Sequence, residues 1–391
     1  MKNFLHLYKT VATLLLTTTL LFLLVCYLIK GALDLVGASI GKLSGPVYSK
    51  KWSSADYTYL TQDTIKQVWN EFDNMGKEMT FTHSPYATFQ ESPRTGKTLN
   101  IINDTISNYR SNSSSNLEQN QKPVFVWMFG GSSVFGWGLP DNETIPAHLQ
   151  KLLSKCTGRN INVVNYGHAY YWSTMESVLF SALLQRKEKS HIAIFLDGFN
   201  DVELGGRGLE EPLLSNKVQQ IVENYTRLES GAEHNWLQLL PAFPPSRLGR
   251  LWDPATPSSR FLSFTDPRTQ SKEFVSPEAI CQMYSGNIAR IDALSTVEAI
   301  LPFFFLQPTR FLEKELKYGD REKASGLFQA LASCAAISTA NFHDIKDSLA
   351  TVASPVYLDT SHYNDRGSRV VAQKIADVVC SRLADQPSFL R

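Results

Sequence analysis

The residues best suited to covalent chemistry lie in two short segments that are far apart in the chain. Ser132 follows Gly130 and Gly131, and two glycines let the backbone turn tightly and leave a hydroxyl exposed at the start of a helix. Much later, Asp359 precedes His362 by three residues, a loop spacing at which the carboxylate can reach Nδ1 and leave Nε2 free. These residues predict a serine nucleophile, a histidine base and an aspartate that orients the base.

Two further segments carry groups that can stabilise a developing negative charge. Gly167 ends the segment Asn165–Gly167, and its N–H can point towards a ligand. Asn200, within Gly198–Asp201, can donate a side-chain N–H to an oxyanion. Each of these segments, taken alone, is equally typical of an ordinary turn, so the prediction depends on all of them lying together.

Short apolar runs alternate with amphipathic helical segments, and four of the runs end next to the segments described above. The runs are Val124–Phe129, Ile161–Asn165, Ile192–Leu196, Ala299–Leu306 and Val356–Leu358. Such alternation predicts an α/β fold in which a parallel sheet is covered by helices on both faces. Ligands of such sheets bind at the carboxyl ends of the strands, which is where the candidate residues are expected.

In this order, the four segments resemble the signature blocks of the SGNH/GDSL hydrolase family over about residues 121–385. Ser132 matches the nucleophile block, Gly167 the glycine block and Asn200 the asparagine block, while Asp359 and His362 match the final block. The resemblance implies a flavodoxin-like three-layer α/β/α sandwich with a central parallel sheet. It also implies an oxyanion hole formed by the N–H groups of Ser132 and Gly167 and by the Asn200 side chain.

The segment around the nucleophile departs from the family pattern at one position. Gly131 stands where the family commonly has aspartate. Many members of the family nevertheless have a similar Gly-Gly-Ser segment. Ser133 is a rival nucleophile in an alternative register. Gly136 lies four residues after Ser132, which fits the family spacing and favours Ser132 as the nucleophile.

Several residues after the glycine block also bear on the site. His168 is expected to be structural or to line the pocket. Tyr170, Tyr171 and Trp172 are more typical of a core, but aromatic faces near a site would suit stacking on a sugar.

The beginning of the chain differs in kind from the rest. Val11–Ile29 carries no charge and is just long enough to cross a bilayer as a helix, whereas the apolar core of a cleaved signal peptide spans about 7–15 residues. An uncleaved N-terminal transmembrane signal anchor is therefore predicted. Lys2 and Lys9 favour a cytoplasmic N-terminus, which makes this a single-pass membrane protein with an extracytoplasmic catalytic domain, periplasmic or lumenal/extracellular.

The predicted organisation has three parts. They are the anchor (1–30), a stem and accessory region (31–120) and the catalytic domain (121–391), whose insertion at about 204–280 resembles a cap. The polar segment Ser111–Gln121 marks the boundary before the catalytic domain. A long insertion in a compact fold is usually functional, and this one is expected to shape substrate choice.

Composition and cysteine usage exclude some classes of protein. The 391 residues include 43% hydrophobic and 19% charged residues with a net charge of +1, which predicts a packed core and no nucleic-acid partner. Cys156, Cys281, Cys334 and Cys380 permit two disulfides, and buried free thiols are the alternative. Since these cysteines form no CxxC pair, a zinc site is not expected.

The sequence thus predicts a serine esterase or acyl hydrolase that needs neither a cofactor nor a metal. Its expected partners are an acylated small molecule or glycan, with O-acetyl esters of carbohydrate first, and the membrane through the N-terminal helix. A lipid acyl hydrolase and an O-acyltransferase with the same triad are close alternatives. A non-catalytic factor in polysaccharide assembly or export is an alternative from a different class.

Overall fold

The structure is a computed structural model. It describes residues 54–77, 81–84, 87–112, 123–187, 189–205, 275–310 and 321–385, together with residues 6, 10–22, 24, 25 and 27. Most of the predicted stem, nearly all of the polar segment Ser111–Gln121 and most of the insertion at 204–280 lie outside the described residues.

The N-terminal residues 10–22 are helical, and they belong to a different compact unit from the described residues of Lys51–Val222 and Ser271–Arg391. No helix in the described parts of the chain meets the length and hydropathy that a membrane span requires. Four residues of the predicted span Val11–Ile29 lie outside the described set. The anchor therefore stays a prediction.

The larger unit contains nine strands and seven α-helices among the described residues. The strands are β1 (Phe81–Ser84), β2 (Thr88–Glu91), β3 (Ile101–Ile102), β4 (Tyr109–Arg110), β5 (Val124–Gly130), β6 (Ile161–Gly167), β7 (Ile192–Asp197), β8 (Leu301–Leu306) and β9 (Phe342–Asp344). The helices are α1 (Gln62–Lys77), α2 (Ser132–Phe135), α3 (Ile145–Thr157), α4 (Ser173–Leu183), α5 (Pro277–Val297), α6 (Arg321–Ser338) and α7 (Asp365–Asp385).

Seven of these strands form one sheet, in the order β3-β4-β6-β5-β7-β8-β9. The last five pair in parallel, whereas β3 and β4 add to the edge in antiparallel fashion. Counting only the parallel strands along the chain, their spatial order is 2-1-3-4-5, which is the flavodoxin-like doubly wound arrangement. The α/β class with a mostly parallel central sheet is as predicted.

The two faces of the sheet follow from the alternation of side chains along each strand. On one face Phe129 stacks on Phe195 with ring centroids 4.7 Å apart, and Phe195 stacks on Phe304 at 5.3 Å. These rings lie opposite one another in the strand register, so they form a continuous aromatic row across β5, β7 and β8. On the other face Val126 and Met128 belong to the buried cluster that includes the apolar sides of α3 and α7.

The edge strands β3 and β4 come from residues assigned by the sequence to the accessory region. Arg110 in β4 pairs with Asn165 in β6, so this region adds directly to the catalytic sheet. Its boundary with the predicted catalytic domain at residue 121 falls inside one compact unit. Two-residue strands carry too little pattern to be recognised in a sequence, because alternation is visible only over about 4–8 residues.

The fifth parallel strand is not the one predicted. Val356–Leu358 forms no strand, and Tyr357 makes only an isolated bridge with Tyr363. The edge position is taken by β9, which pairs with β8. The Asp359 segment therefore comes from a loop before α7 rather than from a strand end.

Two disulfides link helices that pack side by side. Cys156 in α3 is bonded to Cys380 in α7, with Cα atoms 6.2 Å apart. Cys281 in α5 is bonded to Cys334 in α6, with Cα atoms 5.8 Å apart. The two pairs cross-link α3 to α7 and α5 to α6, which resolves the alternatives left open by the sequence in favour of disulfides.

Candidate active site

Ser132 lies where β5 ends and α2 begins. Gly131 is the N-cap of α2 and keeps an extended backbone, so Ser132 is the first residue of the helix. The N–H of a first helical residue has no partner within its helix and can bind an anion. A Cβ atom at Gly131 would lie 2.4 Å from Nδ2 of Asn200, so only glycine leaves room for that side chain.

His362 is the hydrogen-bond partner of the serine hydroxyl. Its Nε2 lies 2.7 Å from Oγ of Ser132, and its Nδ1 lies 2.7 Å from Oδ2 of Asp359. The Ser132 hydroxyl donates to a neutral Nε2 when Nδ1–H donates to the carboxylate, which is the tautomer that a general base requires. The structure thus brings together three residues from two distant segments in the order nucleophile, base and orienting acid.

Asp359 is held in its ionised form by its surroundings. Burial by itself raises the pKa of this carboxyl, but the neighbouring His362 and the N–H groups of Ser361 and His362 outweigh burial. Both N–H groups donate to Oδ1 at 3.0 Å, while Oδ2 faces the imidazole. The pKa of Asp359 is therefore held well below its ordinary value, and a carboxylate faces Nδ1 at every pH at which histidine can act as a base.

The rival serine has a different partner. Ser133 is buried, and its hydroxyl donates to the backbone carbonyl of Ser361 at 3.0 Å. This bond ties α2 to the loop that carries His362. Of the two neighbouring hydroxyls, the one that meets the imidazole belongs to Ser132.

The loop carrying His362 is fixed from several sides. The N–H of Arg310 and the hydroxyl of Thr309 both donate to the carbonyl of Thr360, at 3.0 and 3.1 Å. The hydroxyl of Tyr363 donates to the carbonyl of Pro308 at 2.7 Å. The segment after β8 therefore holds the base in place. These contacts join residues that are far apart in the chain, so the sequence alone does not reveal them.

Asn200 lies over the glycine turn. One hydrogen of its Nδ2 is donated to the carbonyl of Tyr171 at 2.7 Å, and Nδ2 is close to Gly131. A side-chain amide has a second hydrogen, which is available to a charge forming next to Ser132. The position of Asn200 fits an oxyanion donor.

Gly167, the other predicted oxyanion donor, already has a hydrogen-bond partner within the protein. Its N–H donates to Oδ1 of Asn165 at 3.0 Å, and the Nδ2 of Asn165 donates to the carbonyl of Val134 at 3.1 Å. A Cβ atom at Gly167 would lie 2.3 Å from the backbone nitrogen of Phe135. In this structure glycine is needed for close packing of β6 against α2, and its N–H is already used within the protein.

His168 is buried beside the site and does not line it. Its Nδ1 lies 2.5 Å from Oε2 of Glu91 and its Nε2 lies 3.1 Å from Oγ of Ser107. Glu91 also accepts the N–H of Ala169 at 2.7 Å. This buried pair anchors the loop after β6, in which Tyr170 adopts a left-handed backbone with φ of 67°.

An aromatic residue that the sequence analysis did not single out lies beside His362. Tyr171 and Trp172 are buried in the core. Instead, the ring of Trp137 lies 6.2 Å from the His362 ring, with 31° between the ring planes. The N–H of Trp137 donates to the carbonyl of Ser132 at 3.0 Å, so the nucleophile turn itself positions this ring.

Arg110 supports the same turn from the sheet edge. Its guanidinium is fully buried, and it donates to the carbonyls of Phe135, Gly136 and Leu139 at 2.7, 2.7 and 2.6 Å. Its Nε donates to Asp141 at 2.9 Å, which supplies the opposing charge. An arginine placed just before a polar segment gives no sequence signal for this role, because its partners are backbone carbonyls.

The described residues contain no group of three or more His, Cys, Asp or Glu side chains arranged to hold a metal ion.

No protein-family model and no curated protein matches the sequence. Similar solved structures include LAE5, an alpha/beta hydrolase enzyme from the metagenome of Lake Arreo, Spain (13% identity, 66% of this chain and 94% of that chain, TM-score 0.38). The acetyl xylan esterase AlAXEase is 12% identical over 66% of this chain and 100% of its own, with a TM-score of 0.37. A member of the lipolytic protein G-D-S-L family from Veillonella parvula is 13% identical over 66% and 98%, with a TM-score of 0.36. Identities and TM-scores this low leave the assignment of function to the geometry of the site.

Proposed function

We propose that this protein is a serine esterase of the SGNH type that hydrolyses O-acyl esters. The observation that carries the proposal is the chain of hydrogen bonds from Ser132 Oγ to His362 Nε2 and from His362 Nδ1 to Asp359, each 2.7 Å long. A serine paired with a base that is itself oriented by a carboxylate is the arrangement of covalent acyl transfer.

The reaction follows from these contacts. Ser132 Oγ attacks the ester carbonyl while His362 Nε2 takes the hydroxyl proton, and Asp359 stabilises the imidazolium that forms. The tetrahedral intermediate collapses when Nε2–H protonates the leaving alkoxide, which departs as an alcohol and leaves an acyl-serine. Water then attacks the acyl carbon, gives its proton to His362 and releases the acid as Ser132 regains its proton.

The oxyanion is stabilised by groups already in position. The N–H of Ser132 at the start of α2 and the second amide hydrogen of Asn200 are the two donors that the contacts favour. Gly167, the third predicted donor, would contribute only if its N–H were released from Asn165. The proposed hole therefore has two donors.

The substrate class we favour is an O-acetyl ester on carbohydrate. Trp137 places an aromatic ring beside His362, and such a face suits stacking on a sugar ring. The choice of acyl group is tested by comparing aryl acetate, butyrate and octanoate with acetylated oligosaccharides. Acetate released fastest from the oligosaccharides supports a carbohydrate esterase, and preference for the octanoate supports the lipid acyl hydrolase.

The nucleophile is tested by comparing Ser132→Ala with Ser133→Ala. Ser132→Ala is expected to lower kcat for an aryl acetate by at least about 10³-fold, because the acyl-serine can no longer form. Ser133→Ala, which loses only a bond to Ser361, is expected to lose less than about tenfold. Full turnover by Ser132→Ala would refute the esterase, while loss in Ser133→Ala alone would move the nucleophile by one residue.

The other two alternatives have distinct readouts. An O-acyltransferase would pass the acyl group from Ser132 to an added sugar acceptor in preference to water, so the product would be an ester instead of free acid. A non-catalytic polysaccharide assembly factor would bind glycan without forming an acyl-serine. Trapping of Ser132 by a serine-reactive phosphonate, detected by mass spectrometry, separates this last class from the enzymes.

We also propose that the catalytic unit lies on the extracytoplasmic side of a membrane, held by the N-terminal helix. The two disulfides support an oxidising compartment, where such bonds persist. Membrane fractionation and protease accessibility of the tagged full chain test this placement. Recovery of the full chain in the soluble fraction, or protection from external protease, would contradict it.

A further inference from the structure

Three carboxyl side chains lie buried behind Asn200, and the proposed reaction uses none of them. Glu176 lies in α4, Asp197 ends β7, and Asp201 follows Asn200 directly. Their residues are 0%, 4% and 0% exposed. Buried carboxyls are costly unless they are paired or protonated, so three together require an explanation.

Asp201 closes the turn that carries Asn200. Its Oδ2 accepts the N–H of Gly198 at 3.1 Å, and the N–H of Val202 donates to the carbonyl of Gly198 at 3.1 Å. Its Oδ1 accepts the N–H and the hydroxyl of Ser173 at 3.2 and 2.6 Å. Asp201 therefore ties both ends of the turn to the start of α4.

Asp197 and Glu176 lie at the base of this turn with few donors. The hydroxyl of Tyr284 is 3.5 Å from one oxygen of Asp197. Among the described residues, the other oxygen of Asp197 and both oxygens of Glu176 have no donor. The Glu176 and Asp197 carboxyls are side-chain hydrogen-bond partners of each other. Without N–H donors, such a pair is satisfied when a proton on one carboxyl is donated to the other.

The electrostatics agree with a protonated pair. Burial, reinforced by the charge of Asp201, raises the pKa of Asp197 to about 8. Burial and the charge of Asp197 raise the pKa of Glu176 well above its ordinary range. The titratable groups that bear on the cluster in the described structure are Glu176 from α4, Asp197, Asp201, the Tyr284 hydroxyl from α5 and the buried Tyr171 hydroxyl, which faces Glu176.

We propose that Glu176, Asp197 and Asp201 form a positioning site for Asn200, held together by a proton that Glu176 and Asp197 share. This role rests on the proposed esterase function, because Asn200 matters as an oxyanion donor. Loss of the shared proton adds a negative charge to a buried cluster, and the repulsion loosens the turn between Gly198 and Asp201. Asn200 then leaves its place over the glycine turn, and the transition state loses a donor.

The expected signature is an alkaline loss of kcat without a matching rise in KM, since an oxyanion donor acts mainly in the transition state. Wild-type kcat for an aryl acetate should fall as pH rises through about 8, the pKa of Asp197. In Asp197→Asn no ionisation is possible at this position, so the fall should move upward by at least about one pH unit. If Asp197 had only a structural role, Asp197→Asn would lower kcat at every pH, and kcat would still fall at the same pH as in the wild type.

Two further variants complete the experiment. Glu176→Gln supplies a permanent N–H donor in place of the shared proton. In this variant too, kcat should no longer fall near pH 8. Asp347→Asn, at an 80% exposed side chain, removes the same charge on the surface and should keep the wild-type profile. Thermal unfolding at about pH 7 shows whether each variant is folded.

A measurement on the wild type keeps the proposal testable if both cluster variants unfold. The infrared carbonyl band of a protonated carboxyl should be present at about pH 7 and disappear above about pH 8. Absence of that band at about pH 7 would overturn the proposal. If kcat still falls near pH 8 in folded Asp197→Asn and Glu176→Gln, the positioning role is overturned, while Ser132-dependent turnover and the esterase remain. If the wild type shows no Ser132-dependent turnover, the esterase and the positioning role are refuted together.

Discussion

Asp359 and His362 show how one carboxylate sets the chemistry of the base. The carboxylate takes two backbone N–H groups on one oxygen and leaves the other for Nδ1–H of the imidazole. Ser132 consequently faces an unprotonated Nε2 at 2.7 Å. The contacts that orient the base therefore lie within the four-residue loop segment Asp359–His362, outside the sheet.

Replacing the orienting acid by its amide should separate geometry from charge. Asp359→Asn is expected to lower kcat by about 10⁴-fold at neutral pH, because an amide can hold the imidazole in the wrong tautomer and cannot stabilise the imidazolium. KM should change little, since Asp359 acts through its hydrogen bond to His362. Steady-state kinetics with an aryl acetate check this, and Asp347→Asn serves as the control at an exposed aspartate.

At the scale of elements, the antiparallel strand β4 matters through one side chain. Arg110 donates to three carbonyls of the turn after α2 and pairs with Asp141 in a fully buried site. Burial opposes its charge and lowers the pKa of its guanidinium, while Asp141 counteracts that effect. The region before residue 121 is thus part of the support for the nucleophile.

Removal of this arginine should destabilise the whole unit. Arg110→Met is expected to cost about 3–5 kcal/mol, because Asp141 loses its opposing buried charge and three buried carbonyls each lose one donor. Urea unfolding measures the loss, and Arg382→Met at an exposed position of α7 provides the matched control. Equal stability of the two variants would show that the buried contacts contribute little.

The helix pairs around the sheet predict a definite thiol count. Of the five cysteines in the sequence, Cys156, Cys281, Cys334 and Cys380 form two disulfides. Alkylation of the unfolded, unreduced chain should leave these four cysteines unmodified. Cys156→Ser is expected to cost about 2–5 kcal/mol of stability, measured by urea unfolding against the wild type. More than one alkylated cysteine in the wild type would contradict the pairing.

At the scale of the whole molecule, the buried acids should make stability depend on pH. The pKa of Asp197 rises from its ordinary 3.8 to about 8 on folding, so the folded state binds this proton more tightly than the unfolded chain. Its contribution is therefore lost as pH rises from about 4 to about 8. The contribution of Asp359 has the opposite sign, because its lowered pKa gives stability above about pH 4 that is lost as pH falls.

Urea unfolding between about pH 5 and about pH 8 tests this sign. The free energy of unfolding should decrease with pH by up to about 1.4 kcal/mol per pH unit for one proton. Asp197→Asn should flatten the slope. A wild-type stability that rises over this interval would show that the cluster is ionised in the folded protein.

Much of the fold and of the candidate site could be predicted from the sequence. The buried strands β5 to β8 could be predicted because each is an apolar run long enough to leave a pattern, whereas the helix α5 between β7 and β8 was not predicted. Ser132, Asn200, Asp359 and His362 could be named because each lies in a short segment whose neighbours restrict its role. Local patterns of this kind survive without knowledge of distant contacts.

Tertiary structure decided the rest. It placed β9 at the sheet edge in place of Val356–Leu358, added β4 to the catalytic sheet and gave the Gly167 N–H to Asn165. Each of these depends on which backbone groups meet across tens or hundreds of residues. Hydrogen-bond partners of that kind leave no periodicity in the chain, because a backbone N–H or carbonyl is present at almost every position whatever its role.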